Sequence, residues 1–413
     1  MFSKGNLKLF GAAVLAATTL FACKKDDDHH HDDHDDDGKE YQFVRVLVSD
    51  QTASTLTQLE PHTGATTTFN TKHPLASLYP TASGRYAAVL YGAQNLAEVF
   101  DAGLTLHDDH VDVANPARWT AITAAGLKPT HFKSKGTESL IFNDGDGTLS
   151  LGEEANFNTV GAKFTIINAG LPAHHGAMAQ FNNGTIAVTT APEAGKSPNR
   201  VLVIKKDGST AFASTLETGA IHGNASDGQN AVFGAFKDAA GTSGGVLVVS
   251  QSGEQTFIDN PAGFGAARLG SIYYAAAAKK FIGYAAAKGA YLVDVAGKSI
   301  SAIYNGADAF QCKVDYAGKN LLLLSLDGKL RIYDLATGSL KKEGNVISAV
   351  QSTDTYKPVL EATARFAYIA MPSAGEVHQV DLADFTKITK HKVSASPVRM
   401  ALLGFETSEG HHD

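Results

Sequence analysis

The chain has 413 residues and a formal net charge of −7. Residues 24–37 hold eight Asp and two Lys, a net of 2 − 8 = −6, so the other 399 residues carry about one negative charge between them. With no surplus of Lys and Arg to neutralise phosphates, a basic nucleic-acid binder is excluded, and 44% hydrophobic against 19% charged residues excludes a chain that is disordered throughout.

Residues 1–22 read as an address. Lys4 and Lys8 form a basic n-region, and Leu9 to Ala22 is an apolar run of about 14 residues, short of the roughly 20 that a spanning helix needs. Leu20-Phe21-Ala22-Cys23 resembles the bacterial lipobox, although Phe21 is bulkier than usual there. A lipoprotein signal peptide is therefore expected over 1–22, with Cys23 acylated and the mature chain starting there. This implies a cell-envelope lipoprotein of the outer membrane, facing the periplasm or displayed on the surface. The run Cys23-Lys24-Lys25-Asp26-Asp27-Asp28 is similar to the Lys-then-acidic surface-export signal of Bacteroidetes lipoproteins. Cys312, the second of two Cys, is then left without a disulfide partner.

Residues 23–39 read as a flexible arm. His29, His30, His31 and His34 are interleaved with Asp32, Asp33 and their acidic neighbours. Imidazole nitrogen and carboxylate oxygen both suit borderline divalent ions, and an unstructured arm can wrap one without preformed geometry. A solvated spacer would need the Asp but not the four His, so metal capture is the expectation.

From residue 40 onward a unit of short strands recurs, each copy closing on a polar turn. Its second strand is read at Thr55–Leu59, Ala97–Phe100, Thr148–Leu151, Arg200–Ile204, Gly245–Val249, Ala290–Val293, Lys329–Tyr333 and Glu376–Val380. These eight copies are roughly 40 to 50 residues apart, the period of propeller blades, and no sustained helical period follows the signal. The fold class expected is all-β: one closed β-propeller over 40–406, eight-bladed, or seven-bladed if one copy is spurious, with a tail over 407–413. The first unit, entering at Phe43–Val48, lacks an inner strand, and Val398–Phe405 is expected to supply it and close the ring.

Histidines mark the places where chemistry can gather. The string HDDH occurs in the arm, as His31 to His34, and again at His107-Asp108-Asp109-His110, expected in the long connection after the second blade. Three successive connections carry His just before the inner strand: Pro129-Thr130-His131-Phe132, Pro172-Ala173-His174-His175-Gly176 and Ala220-Ile221-His222-Gly223, with a weaker version at Lys72-His73-Pro74. Inner strands line a propeller's channel, so matching places in adjacent blades converge. A tetrahedral Zn²⁺ needs three or four donors at about 2.0–2.3 Å. His131, one of His174 and His175, and His222 would supply three, and His107 or His110 a fourth.

Other candidates carry less. Asn143-Asp144-Gly145-Asp146-Gly147 looks superficially like a calcium loop but lacks the remaining ligands, and a hairpin turn is expected. Cys312 sits at an inner-strand start and reads as a small buried hydrophobe, with a thiolate ligand the alternative. His62 lies in a turn, and His378 and His391 lie in outer-strand patterns. His411 and His412 could join a site only if the tail folds back. No nucleophile elbow, phosphate loop, dinucleotide fingerprint, His-Glu-x-x-His or Cys-x-x-Cys occurs.

Taken together, the Pro-x-His-Phe, His-His-Gly and Ile-His-Gly connections, the HDDH string ahead of them and the His/Asp arm resemble the AztD-type zinc metallochaperones of bacterial zinc uptake. The similarity spans most of the chain after residue 40 and is strongest over about 100–250. It implies a zinc-binding propeller, not an enzyme, that passes Zn²⁺ to the solute-binding protein of a zinc ABC transporter, with His107, His110, His131, His174, His175 and His222 as ligand candidates. The expected lipid anchor departs from the soluble periplasmic form of that family, which leaves the acceptor open. The alternatives are a cell-surface propeller scaffold for a protein or glycan, and a metal-dependent propeller hydrolase, for which the sequence offers no identifiable general base.

Overall fold

Each repeat read from the sequence corresponds to one four-stranded antiparallel sheet, and eight such sheets form an eight-bladed β-propeller. The computed structural model describes residues 41–107, 110–124 and 126–406. The expected signal peptide, the acylated Cys23, the metal-capturing arm and the tail histidines lie outside the described residues.

In blades 2 to 8 the chain enters on the innermost strand and works outward. All eight stretches read as second strands fall on the third strand from the channel, for example Arg200–Ile204 in blade 4 and Lys329–Asp334 in blade 7. Blade 1 is completed from both ends of the propeller. Pro397–Gly404 is its inner strand and pairs antiparallel with Val44–Asp50, Val44 opposite Gly404. The ring therefore closes as expected, and no blade is left with an open inner edge.

Packing explains why the middle strands read as apolar runs rather than alternating ones. Each is sandwiched between two neighbouring blades, so both of its faces are buried. In Asn320–Ser325, Leu321 and Leu323 pack toward blade 6 while Leu322 and Leu324 pack toward blade 8. Burial of each such Leu contributes roughly 1.5–3 kcal/mol. Eight apolar clusters fill the eight blade-to-blade interfaces, including the one joining blade 8 to blade 1. Outer strands have only one packed neighbour and are polar; Ala65–Asn70 is almost wholly exposed.

The connections divide between two ends of the propeller. Turns from second to third strands, and connections from one blade to the next, gather at one end, which we call the mouth. First-to-second and third-to-fourth turns gather at the far end. The second HDDH string lies at the far end. It does not follow blade 2 but interrupts it, as a hairpin of Leu104–His107 with His110–Val113 set between the blade's third and fourth strands. Arg85, in a first-to-second turn, holds this hairpin by donating to Thr105 Oγ1 at 3.0 Å while forked onto Asp101.

Candidate metal centre

The three histidine-bearing connections belong to blades 3, 4 and 5, and their side chains meet at the mouth. His131 and His175 stand with ring centroids 4.6 Å apart, His175 and His222 at 5.6 Å, and His131 and His222 at 6.2 Å. Local backbone irregularity aims them. The inner strands Pro129–Lys135 and Ile221–Ser226 both begin with a shift in register, between Pro129 and His131 and between Ile221 and Asn224. Such bulges turn a side chain away from the regular pleat. Gly223 adds a left-handed φ of +75° and packs where a Cβ would meet Gly270 O at 2.4 Å, so no larger residue fits the close approach that brings His222 to that carbonyl.

Hydrogen bonds fix which nitrogens are free. His175 Nδ1 lies 2.8 Å from Asp144 Oδ2, and His222 Nδ1 lies 2.8 Å from Gly270 O. In the neutral rings these are N–H donors to oxygen acceptors, which leaves both Nε2 atoms with lone pairs. His131 Nε2 lies 3.1 Å from His175 Nε2, and the lone pair on His175 makes His131 the donor there. Carboxylate or carbonyl support behind a ring is the usual second contact of a metal-binding histidine. Two nitrogens bound at 2.0–2.1 Å to one tetrahedral ion stand about 3.3 Å apart, close to the His131–His175 separation. Among the described residues no three such side chains already surround a common point as a bound ion would require. Loading an ion between these rings therefore means displacing the N–H···N hydrogen bond and turning His222 inward.

Burial, reinforced by His175, holds His131 far below the ordinary histidine range, at about 4. The neutral ring can thus turn a lone pair toward an ion at neutral pH, once its hydrogen bond to His175 is given up, without loss of a proton from an imidazolium. One turn of the pleat deeper on the same strand is Lys133, which burial pushes down to about 8 and whose Nζ donates to Asn224 O at 2.7 Å.

The remaining sequence candidates are placed elsewhere. His174 points into the core, 3% exposed, 5.0 Å from the Phe142 ring centroid, with Nδ1 against Pro172 O at 2.7 Å and Nε2 against Thr189 Oγ1 at 3.1 Å. Both of its nitrogens are engaged. His107 and His110 are backbone register partners in the far-end hairpin, and His107 Nε2 lies 3.4 Å from Asp112 Oδ2. They are at the opposite end of the strands from the trio, because Ala82, in the same turn as the Arg85 that holds the hairpin, bonds to Ser134 at the end of the strand near whose start His131 lies. His73 pairs with Tyr91 at 5.5 Å. His378 and His391 are buried in the third and fourth strands of blade 8, where they pack, and His62 is exposed in its turn. Cys312 is buried in the cluster between blades 6 and 7, with its thiol pushed far up by burial, so it stays a protonated, inert hydrophobe.

Asp144 is the residue that sequence reasoning missed. Its stretch is the expected turn, between the second and third strands of blade 3, and Asp146 is spent on Thr148 within it. Asp144, however, is buried and accepts from both His175 Nδ1 and Gly176 N. Gly176 is tied to the same contact, since a Cβ there would meet the Phe142 ring at 2.2 Å. The available signal was positional: such a turn shares the mouth with the histidine connection of the next blade.

The fold and site define an eight-bladed β-propeller with a trio of histidines at one mouth of its channel. Two solved structures share this fold over nearly the whole described chain. The crystal structure of Citrobacter koseri AztD matches with a TM-score of 0.77 at 19% identity, covering 90% of this chain and 100% of that one. The apo form of AztD from the same organism matches with a TM-score of 0.76 at 19% identity, over 88% and 98%. The dihydro-heme d1 dehydrogenase NirN in complex with DHE is more distant, with a TM-score of 0.58 at 12% identity over 88% and 75%. No family model and no curated protein sequence matches the chain. At these identities the likeness is one of fold, and it agrees with the resemblance drawn from the histidine connections.

Proposed function

We propose that this protein is a zinc metallochaperone, which binds Zn²⁺ through His131, His175 and His222 and releases it to a zinc-uptake protein. The observation that carries the reading is the convergence of three rings from three successive blades, two of them backed through Nδ1 by Asp144 and Gly270 O. Three protein ligands leave a fourth tetrahedral position for water or for an incoming ligand of the acceptor, which suits transfer better than permanent storage. The AztD-like fold supports the same reading. The arm histidines and Asp32 and Asp33 gather the ion first and lose it by ligand exchange to the better-supported trio. Cys23 anchors the protein in the cell envelope, and the acceptor is the solute-binding protein of a zinc ABC transporter. The role proposed is one of binding and transfer rather than catalysis, as the resemblance to the zinc metallochaperones implies.

Zinc titration of the full mature chain with His29, His30, His31 and His34 all replaced by Ala isolates the propeller. One tight equivalent near pH 7.5 is expected, lost in the further double variant His131→Ala/His222→Ala. Survival of that equivalent in the double variant would move the ligands elsewhere. Absence of tight zinc from the unsubstituted chain would end the chaperone reading altogether.

A further inference from the structure

Below the trio the inner strands of blades 1, 2, 3, 6, 7 and 8 border an open cavity of about 610 Å³. Its charged lining consists of Lys133, Lys313, Glu361 and Arg399. Lys313 and Glu361 form an ion pair and cancel. Lys133 and Arg399 have no acidic partner among the described residues. Lys133 donates to Asn224 O, and Arg399 spends one donor on the backbone carbonyl of Val398, at 2.9 Å. Three cations against one carboxylate leave two positive charges uncompensated on the channel wall, Lys133 part-buried and Arg399 open to the channel.

The part-buried Lys133 charge has no counter-charge, and an ion of opposite sign that accepts its unused hydrogen bonds, with Arg399 as second donor on the same wall, relieves that cost. Lys133 has two N–H donors beyond the one given to Asn224, and the Arg399 guanidinium has a fork suited to paired oxygens. The phenol of Tyr79, in the same lining, donates to Thr130 O at 3.2 Å and leaves its oxygen facing the cavity, where it restricts space rather than adding charge. The volume lies within the range of small-molecule sites.

We infer that the channel beneath the histidines binds a small oxyanion carrying two negative charges, held between Lys133 and Arg399. The shared chemistry covers inorganic phosphate and a short dicarboxylate, and the site does not depend on the zinc reading. Calorimetric titration of the metal-free full chain at low ionic strength, with inorganic phosphate and with succinate as separate probes and chloride as the monovalent control, tests it. Saturable binding of one equivalent of either probe, but not of chloride, is expected. The responding probe identifies the ligand class. Arg399→Gln, whose side chain borders open channel, should weaken that binding at least tenfold, and Lys133→Met should do the same if its melting profile is unchanged. No saturable uptake of either probe, or uptake that Arg399→Gln leaves unaltered, would overturn the inference.

Discussion

Replacing His174 by Ala removes a ring whose two nitrogens are both hydrogen-bonded inside the core, and leaves Pro172 O, Thr189 Oγ1 and the Phe142 face without their partner. Loss of about 2–4 kcal/mol of folding stability is expected, with zinc stoichiometry intact. The adjacent substitution should behave in the opposite way. The His175 side chain is 48% exposed, so His175→Ala should change the urea midpoint little while weakening zinc by about 100-fold or more. Asp144→Asn keeps the shape but alters the support of that ring, and a loss of about 10–100-fold in affinity should follow. Denaturation curves and competitive zinc titrations on the same samples separate these outcomes. Burial also lowers the pKa of His131, to about 4, and that of His174, below the ordinary value of 6.5. Between those limits the unfolded chain holds more protons than the folded one, so stability rises with pH there. For the metal-free protein the urea midpoint should therefore fall as pH drops from about 6.5 toward 4, and His174→Ala should flatten part of that slope.

At the level of strands, Pro397–Gly404 does what the other inner strands do but is the only one supplied from the opposite end of the propeller. Its Leu402 joins the cluster with blade 8 and its Ala401 and Leu403 the cluster with blade 2. Ending the chain before Pro397 exposes the edge of Val44–Asp50 and opens two interfaces together, so the cooperative thermal transition should be lost rather than shifted. The eight third strands were legible because each is buried on both faces and closes on a polar turn, a pattern that repeats whatever the residues. The far-end hairpin was not. Leu104–His107 and His110–Val113 have the length and polarity of a connection, and nothing local says that a fourth strand, Arg118–Thr123, still follows. The bulges that aim His131 and His222 left no trace beyond Pro129 and Gly223, since register is decided by pairing with the next strand. Asp144 was hidden because an Asp-Gly turn looks the same whether its carboxylate faces solvent or a histidine two connections away.

Across the whole molecule, the trio, Asp144 and the Gly270 carbonyl all belong to the mouth, while the hairpin with His107 belongs to the far end. The chain's own break lies at that far end too. Where the other blades have a turn from first to second strand, blade 1 has Phe43 and Phe405, joined by a hydrogen bond from Phe405 N to Phe43 O, and Gly404 lies against Gly84 and Tyr316 of neighbouring far-end turns. The described chain therefore enters the propeller, near residue 41, and leaves it, near residue 406, at the end opposite the trio. Whatever approaches the mouth thus meets the histidines without crossing the seam where the ring is closed, so closure and the histidine cluster occupy opposite poles of one ring.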